Sequence, residues 1–138
     1  MKKAFLFLCC LCFSISVMAA DSLRVRVLSI GNSFSRDAFS YVPFVIEELV
    51  PGVEVDFGIL YIGGCTLQRH YENLVGEKPA YEFDFYTTKN GKWKMERDYS
   101  IQKGVSQQDW DIVIFQQQSA ASRYYDTYQP YLNELLSY

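Results

Sequence analysis

Three apolar runs of strand length, residues 23–30, 53–60 and 112–115, are each followed by a helical pattern, and this alternation leaves the chain few architectures. Leu23-Arg24-Val25-Arg26-Val27-Leu28-Ser29-Ile30 runs into Gly31-Asn32-Ser33-Phe34-Ser35, where an amphipathic helix pattern begins. From about Ser40 to Val50, Val42, Val45, Ile46 and Leu49 share one helical face, Pro43 suits a first turn, and Pro51-Gly52 stops the helix. The second run extends to Gly63-Gly64, and another helix is expected to start near Thr66. After a short helical stretch around Ser100 to Gln107 comes Ile112-Val113-Ile114-Phe115, unbroken and apolar, which predicts a strand buried on both faces. Gln116-Gln117-Gln118-Ser119 follows, and a last helix is expected from about Thr127. Strand and helix alternating three times predict an α/β fold, a parallel sheet with helices on both faces.

One stretch interrupts the pattern. Glu82-Phe83-Asp84-Phe85-Tyr86-Thr87-Thr88, Lys89-Asn90-Gly91-Lys92 and Trp93-Lys94-Met95-Glu96 read as a β-hairpin on an Asn-Gly turn, an insertion expected to stand outside the main sheet. Its aromatics Phe83, Phe85, Tyr86 and Trp93 suit cross-strand pairs, and Tyr124, Tyr125, Tyr128 and Tyr131 crowd the last helix and its approach. Most of these belong to packing; a few near the strand ends suit stacking on sugar rings.

The first twenty residues have the form of a secretory signal peptide: Lys2 and Lys3, an apolar run from Ala4 to Val17, then Ala19 and Ala20. The run is too short for a spanning helix, so export to the periplasm or exterior without stable membrane insertion is expected. Residues 21–138 then form one domain, with the polypeptide expected to be the N-terminal part of a longer one because a helical pattern is still running at Tyr138. That domain keeps a single cysteine, Cys65, and so no internal disulfide. The formal charge of −3 falls to about −5 without the leader lysines, and no basic run exists, which argues against a nucleic-acid partner. An uncovered sheet edge favours self-association, and the sequence fixes no oligomeric state.

In an open parallel sheet the working groups gather at the carboxyl ends of the strands. Those ends read Gly31-Asn32-Ser33, Ile62-Gly63-Gly64-Cys65-Thr66 and Gln116-Gln117-Gln118-Ser119. Ser33, on a tight strand-to-helix turn, is a candidate nucleophile; its own N–H, a glycine N–H and a glutamine amide are candidate donors to an oxyanion. Each also has a plainer reading. Gly-Asn-Ser suits a helix cap, the glycines suit a turn needing positive φ, and the glutamines suit closure of a buried strand. Cys65 reads as a small buried side chain and His70 as a partly exposed helix residue beside the cleft, the two together falling short of a metal site.

These three motifs resemble those of the SGNH (GDSL-like) hydrolase superfamily, in wording a secreted Bacteroidetes-type branch that carries a domain of unknown function. The matching stretches are Ile30 to Phe34, Tyr61 to Leu67 on through His70, and Trp110 to Val113 on through Ser119. The resemblance implies a three-layer flavodoxin-like fold, truncated here after its third parallel strand. It also implies a serine esterase or acyl hydrolase needing no cofactor or metal, acting on a small-molecule or glycan ester, for instance an O-acetyl group. By the same resemblance Ser33 is the nucleophile and Gly64 the second oxyanion donor. Gln118 takes the position usually held by asparagine, with Gln116 as its alternative, and Asn32 stands where the family usually has aspartate. The family's general base, a histidine three residues after an aspartate, has no counterpart, so the sequence as it stands is expected to be inactive alone. A competing reading is a non-catalytic glycan-binding or surface protein on the same fold.

Overall fold

The computed structural model describes residues 23–138; the leader expected over 1–20 lies outside the described residues. The elements are β1 (Arg24–Gly31), α1 (Ser33–Phe39), α2 (Val42–Leu49), β2 (Glu54–Tyr61), α3 (Leu67–Val75), β3 (Tyr81–Thr87), β4 (Lys94–Tyr99), α4 (Ile101–Val105), β5 (Ile112–Phe115) and α5 (Tyr131–Leu136). Asn32 caps α1 and Thr66 caps α3, whose Arg69 N–H donates to Thr66 Oγ1 at 3.2 Å. Pro43 falls in the first turn of α2, where a missing N–H costs nothing.

The five strands form one sheet in the order β4-β3-β2-β1-β5. The centre is parallel: Ile30 of β1 stands opposite Leu60 of β2 on one side and Phe115 of β5 on the other. Three consecutive strands therefore end at the same level, and the loops after them emerge side by side. Alternation along the strands sends Leu28, Ile30 and Leu60 to one face, under Leu67 and Leu74 of α3, Ile101 of α4 and Leu135 of α5. Val27, Val55 and Phe57 face the other way, against Phe39 of α1 and Val42 and Ile46 of α2. Each such fully buried side chain stabilises the fold by about 1.5–3 kcal/mol, which makes the three layers, helices on both faces of a sheet, the solution the sequence pattern dictates.

Four expectations need correction. The hairpin is no separate insertion: β3 pairs antiparallel with β2, from Asp56 opposite Thr87 to Tyr61 opposite Glu82, and β4 pairs with β3. Its alternate residues Tyr81 and Phe83 are buried in the main core, and Phe83 stacks on Tyr99 at 4.6 Å, so leaving the sheet would expose them. Asn90-Gly91 lies within a wider loop, where both N–H groups donate to the Thr87 carbonyl. Among the described residues the β5 run, expected to be buried on both faces, lies at the edge of the sheet: Ile112 is 49% and Val113 42% exposed. On α2, Val42 and Ile46 pack inward while Val45 and Leu49 stay exposed, because only part of the expected apolar face meets the sheet. His70, expected to be partly exposed, is completely buried.

Candidate functional site

Gly31 closes β1 because a side chain would not fit: an added Cβ would lie 2.2 Å from Ser35 Oγ and 3.0 Å from Gln116 Oε1. The chain turns there into Asn32, which is buried and has extended backbone, the geometry of a helix cap. Its Oδ1 accepts from Phe34 N–H at 3.1 Å. Its Nδ2 donates to the carbonyl of Cys65 at 3.3 Å and to that of Gln117 at 3.4 Å. One side chain therefore ties the loop after β1 to the loops after β2 and β5. An aspartate in its place would offer no donor to those two carbonyls.

Gln116 reinforces the junction. Its Oε1 accepts from Ser35 N–H at 2.9 Å, from Ser35 Oγ and, at 3.4 Å, from Asn32 N–H. Gln117 is buried and fully spent: Oε1 accepts from Leu67 N–H at 3.0 Å and Gln118 N–H at 2.9 Å, while Nε2 donates to Thr127. Gln118 anchors Oε1 on Ala121 N–H at 3.1 Å. In both Gln116 and Gln118 the oxygen is held and the NH2 end has no acceptor among the described residues, so each keeps a free donor. The side-chain bonds bring Gln116 to the Ser33 turn; those of Gln118 remain within its own loop.

Ser33 is exposed at the first helical position, with no acceptor for its N–H and no partner for its Oγ among the described residues. Gly64 is likewise exposed at φ +60°, a conformation that favours glycine, and its N–H also lacks an acceptor among the described residues. Ile62 N–H donates to the Gly31 carbonyl at 3.1 Å, which keeps the second loop against the first.

Beneath Gly64, Cys65 is buried as expected, and burial pushes its thiol up to about 11. His70 Nδ1 lies 3.5 Å from Cys65 Sγ and 2.9 Å from the Tyr81 hydroxyl, which also accepts from Asn73 Nδ2 at 3.5 Å. The other ring nitrogen, Nε2, has no partner among the described residues. Burial lowers the His70 pKa to about 4. This imidazole is fully buried against Cys65 and Tyr81 and presents no surface to the rim. Among the described residues, no group of three or more His, Cys, Asp or Glu side chains is gathered as for a metal ion. None of their helices is long and apolar enough to cross a membrane.

Sequence reasoning placed Ser33, Gly64 and the glutamines on loops that the structure draws together, but gave Asn32 no task beyond capping. The available signal was its amide, the one side chain of its size that can cap a helix and donate two further bonds. A larger cavity, about 770 Å3, lies at the opposite end of the strands, beside Arg24, Asp56 and Lys89. Its Arg24 and Asp56 are already joined at 2.5 Å, and it adjoins none of the three loops.

The fold and the rim together define a three-layer α/β domain with its polar groups gathered at the carboxyl ends of adjacent parallel strands. The chain belongs to the DUF4886 family, a domain of unknown function, whose model matches residues 26–138. It is similar to a DUF4886 family protein from Bacteroides uniformis, solved as a crystal structure at 1.50 Å resolution, with 37% sequence identity and a TM-score of 0.77 over 83% of this chain. The match spans 44% of that protein's length. No curated protein matches the chain.

Proposed function

We propose that the full-length protein is an exported serine esterase that removes an O-acyl group, of the kind carried by O-acetylated glycans. The observation that carries this reading is the Asn32 side chain, bonded at once to Cys65 and Gln117, which draws three loops around an exposed serine. The likeness of Gly31-Asn32-Ser33, Gly63-Gly64-Cys65 and the glutamine loop to SGNH hydrolases supports it, and the signal-like first twenty residues support export.

In this mechanism Ser33 Oγ bonds to the ester carbonyl carbon and passes its proton to a general base. The unbonded N–H groups of Ser33 and Gly64 and the free amide of Gln118 donate to the oxyanion, each donor contributing about 10²–10³ in rate. The carbonyl carbon then releases the alcohol, which leaves with the proton from the base. Water, giving a proton to the same base, hydrolyses the acyl-serine to the free acid and restores Ser33. His70 is shut away from this chemistry, so the base is assigned to a residue outside 23–138.

The test is labelling of the full-length protein with an alkyl fluorophosphonate beside Ser33→Ala. Mass addition on the Ser33 peptide of the wild type and none in the variant is the expected result. Equal addition to both would remove Ser33 from the mechanism. Gln118→Ala against Gln116→Ala then separates the two amides, with the larger loss of kcat marking the oxyanion donor.

A further inference from the structure

We propose that the hollow between α1 and the loop after β5 is a subsite for a neutral sugar ring, the alcohol side of the ester. This rests on the esterase reading for its place in a reaction, though not for the binding itself. The cavity is about 440 Å3 and is lined by Phe34, Phe115, Gln116, Gln117, Ser119, Ser122 and Tyr128. Phe34 directly follows Ser33 in α1, which sets one wall of the hollow on the element that carries the candidate nucleophile.

The chemistry of the walls selects the ligand. Three aromatic side chains give apolar faces of the sort on which the C–H face of a pyranose stacks. Phe34 is 58% exposed, an expense in water that a stacked ring would relieve. The polar groups are all neutral. Gln116 has Oε1 fixed by Ser35, which leaves its NH2 as the donating end. Tyr128 donates its hydroxyl proton to the Ser122 carbonyl at 3.0 Å, leaving the oxygen able to accept, while Ser122 donates to the Ser119 carbonyl. Ser119 Oγ has no partner among the described residues. Donors and acceptors are both present among aromatic walls with no charged side chain, which suits hydroxyl groups. A carboxylate or phosphate would be desolvated there without a counter-charge.

The experiment uses the full-length protein with two esters, p-nitrophenyl acetate and an O-acetylated neutral xylo-oligosaccharide, comparing wild type with Phe34→Ala and Ser119→Ala. The expected result is a kcat/KM for the sugar ester lowered about five- to tenfold in Phe34→Ala, the size of one aromatic contact. A smaller loss is expected in Ser119→Ala, with p-nitrophenyl acetate unchanged within about twofold in both. Unchanged sugar-ester kinetics in both variants would overturn the subsite while leaving the esterase intact. If the wild type cleaves neither ester, the esterase reading fails and binding decides the subsite alone. Saturation-transfer NMR with deacetylated xylo-oligosaccharide should then give a signal in wild type that Phe34→Ala loses, and no signal in wild type would overturn the proposal. A glucuronate oligomer binding as well as the neutral one would contradict the selectivity.

Discussion

Asn32 and His70 are both polar, both buried and both placed against Cys65, yet they differ in one respect that governs what each does. Asn32 uses its oxygen on α1 and its nitrogen on two neighbouring loops. His70 has one nitrogen engaged and the other without a partner among the described residues. A fully bonded amide keeps the same charge at every pH and fixes geometry. A half-bonded imidazole holds the turn only while it stays neutral. The rim thus has a pH-independent tie at its centre and a pH-sensitive prop below it.

Replacing the tie should have the largest effect. In Asn32→Asp the two donors become acceptors facing the Cys65 and Gln117 carbonyls, and a charge is buried besides. A loss of roughly 2–5 kcal/mol is expected by urea denaturation. Esterase activity measured well below the denaturation midpoint should fall by at least about 10², the scale of one displaced oxyanion donor. If Asn32→Asp were as stable and active as wild type, the amide would not be what joins the loops.

The prop is tested by pH. Because the folded His70 pKa is lowered from 6.5 to about 4, the unfolded chain binds the proton first as pH falls. Stability should therefore be highest above about pH 6.5 and decline towards pH 4, by up to about 3 kcal/mol from this residue alone. His70→Phe should flatten that window relative to wild type in denaturation series at pH 4.5 and 7. An equal pH slope in both proteins would mean that His70 does not titrate with folding.

A smaller effect is expected at Cys65, which touches both groups. Cys65→Ser puts a smaller hydroxyl where the thiol fills buried space beside His70 Nδ1 and should cost about 1–2 kcal/mol. The native thiol, buried and with its pKa pushed up to about 11, should resist iodoacetamide at neutral pH until the protein unfolds. The smallest effect concerns neither group but the edge of the sheet beside them. Ile112→Lys should change stability by less than about 0.5 kcal/mol yet reduce self-association of residues 23–138 in sedimentation experiments, since charge blunts an exposed strand edge.

What could be read from the sequence divides along similar lines. Periodicity and turn residues located the three parallel strands and placed Ser33, Gly64 and the glutamines after them, because those signals are local. The hairpin was legible as a hairpin, but its partner was not, since cross-strand pairing between β2 and β3 depends on which edge is open. An apolar run such as β5 reports a capacity to be covered, and within residues 23–138 Ile112 and Val113 lie at the edge of the sheet with nothing over them. His70 was misplaced for the converse reason: a histidine in a helix reads as polar, and only the Tyr81 hydroxyl, from β3, gives it a partner in the interior. Asn32 looked like a cap because the cap is local and its other two bonds span more than thirty positions.

The most direct measurement is a crystal structure of the full-length protein after phosphonylation, in which a phosphoryl oxygen stands in for the oxyanion. The account predicts phosphorus on Ser33 Oγ, with that oxygen about 2.7–3.1 Å from the N–H nitrogens of Ser33 and Gly64 and one glutamine amide beside them. An adduct on another residue, or an oxygen on Ser33 turned to solvent away from Gly64, would contradict it.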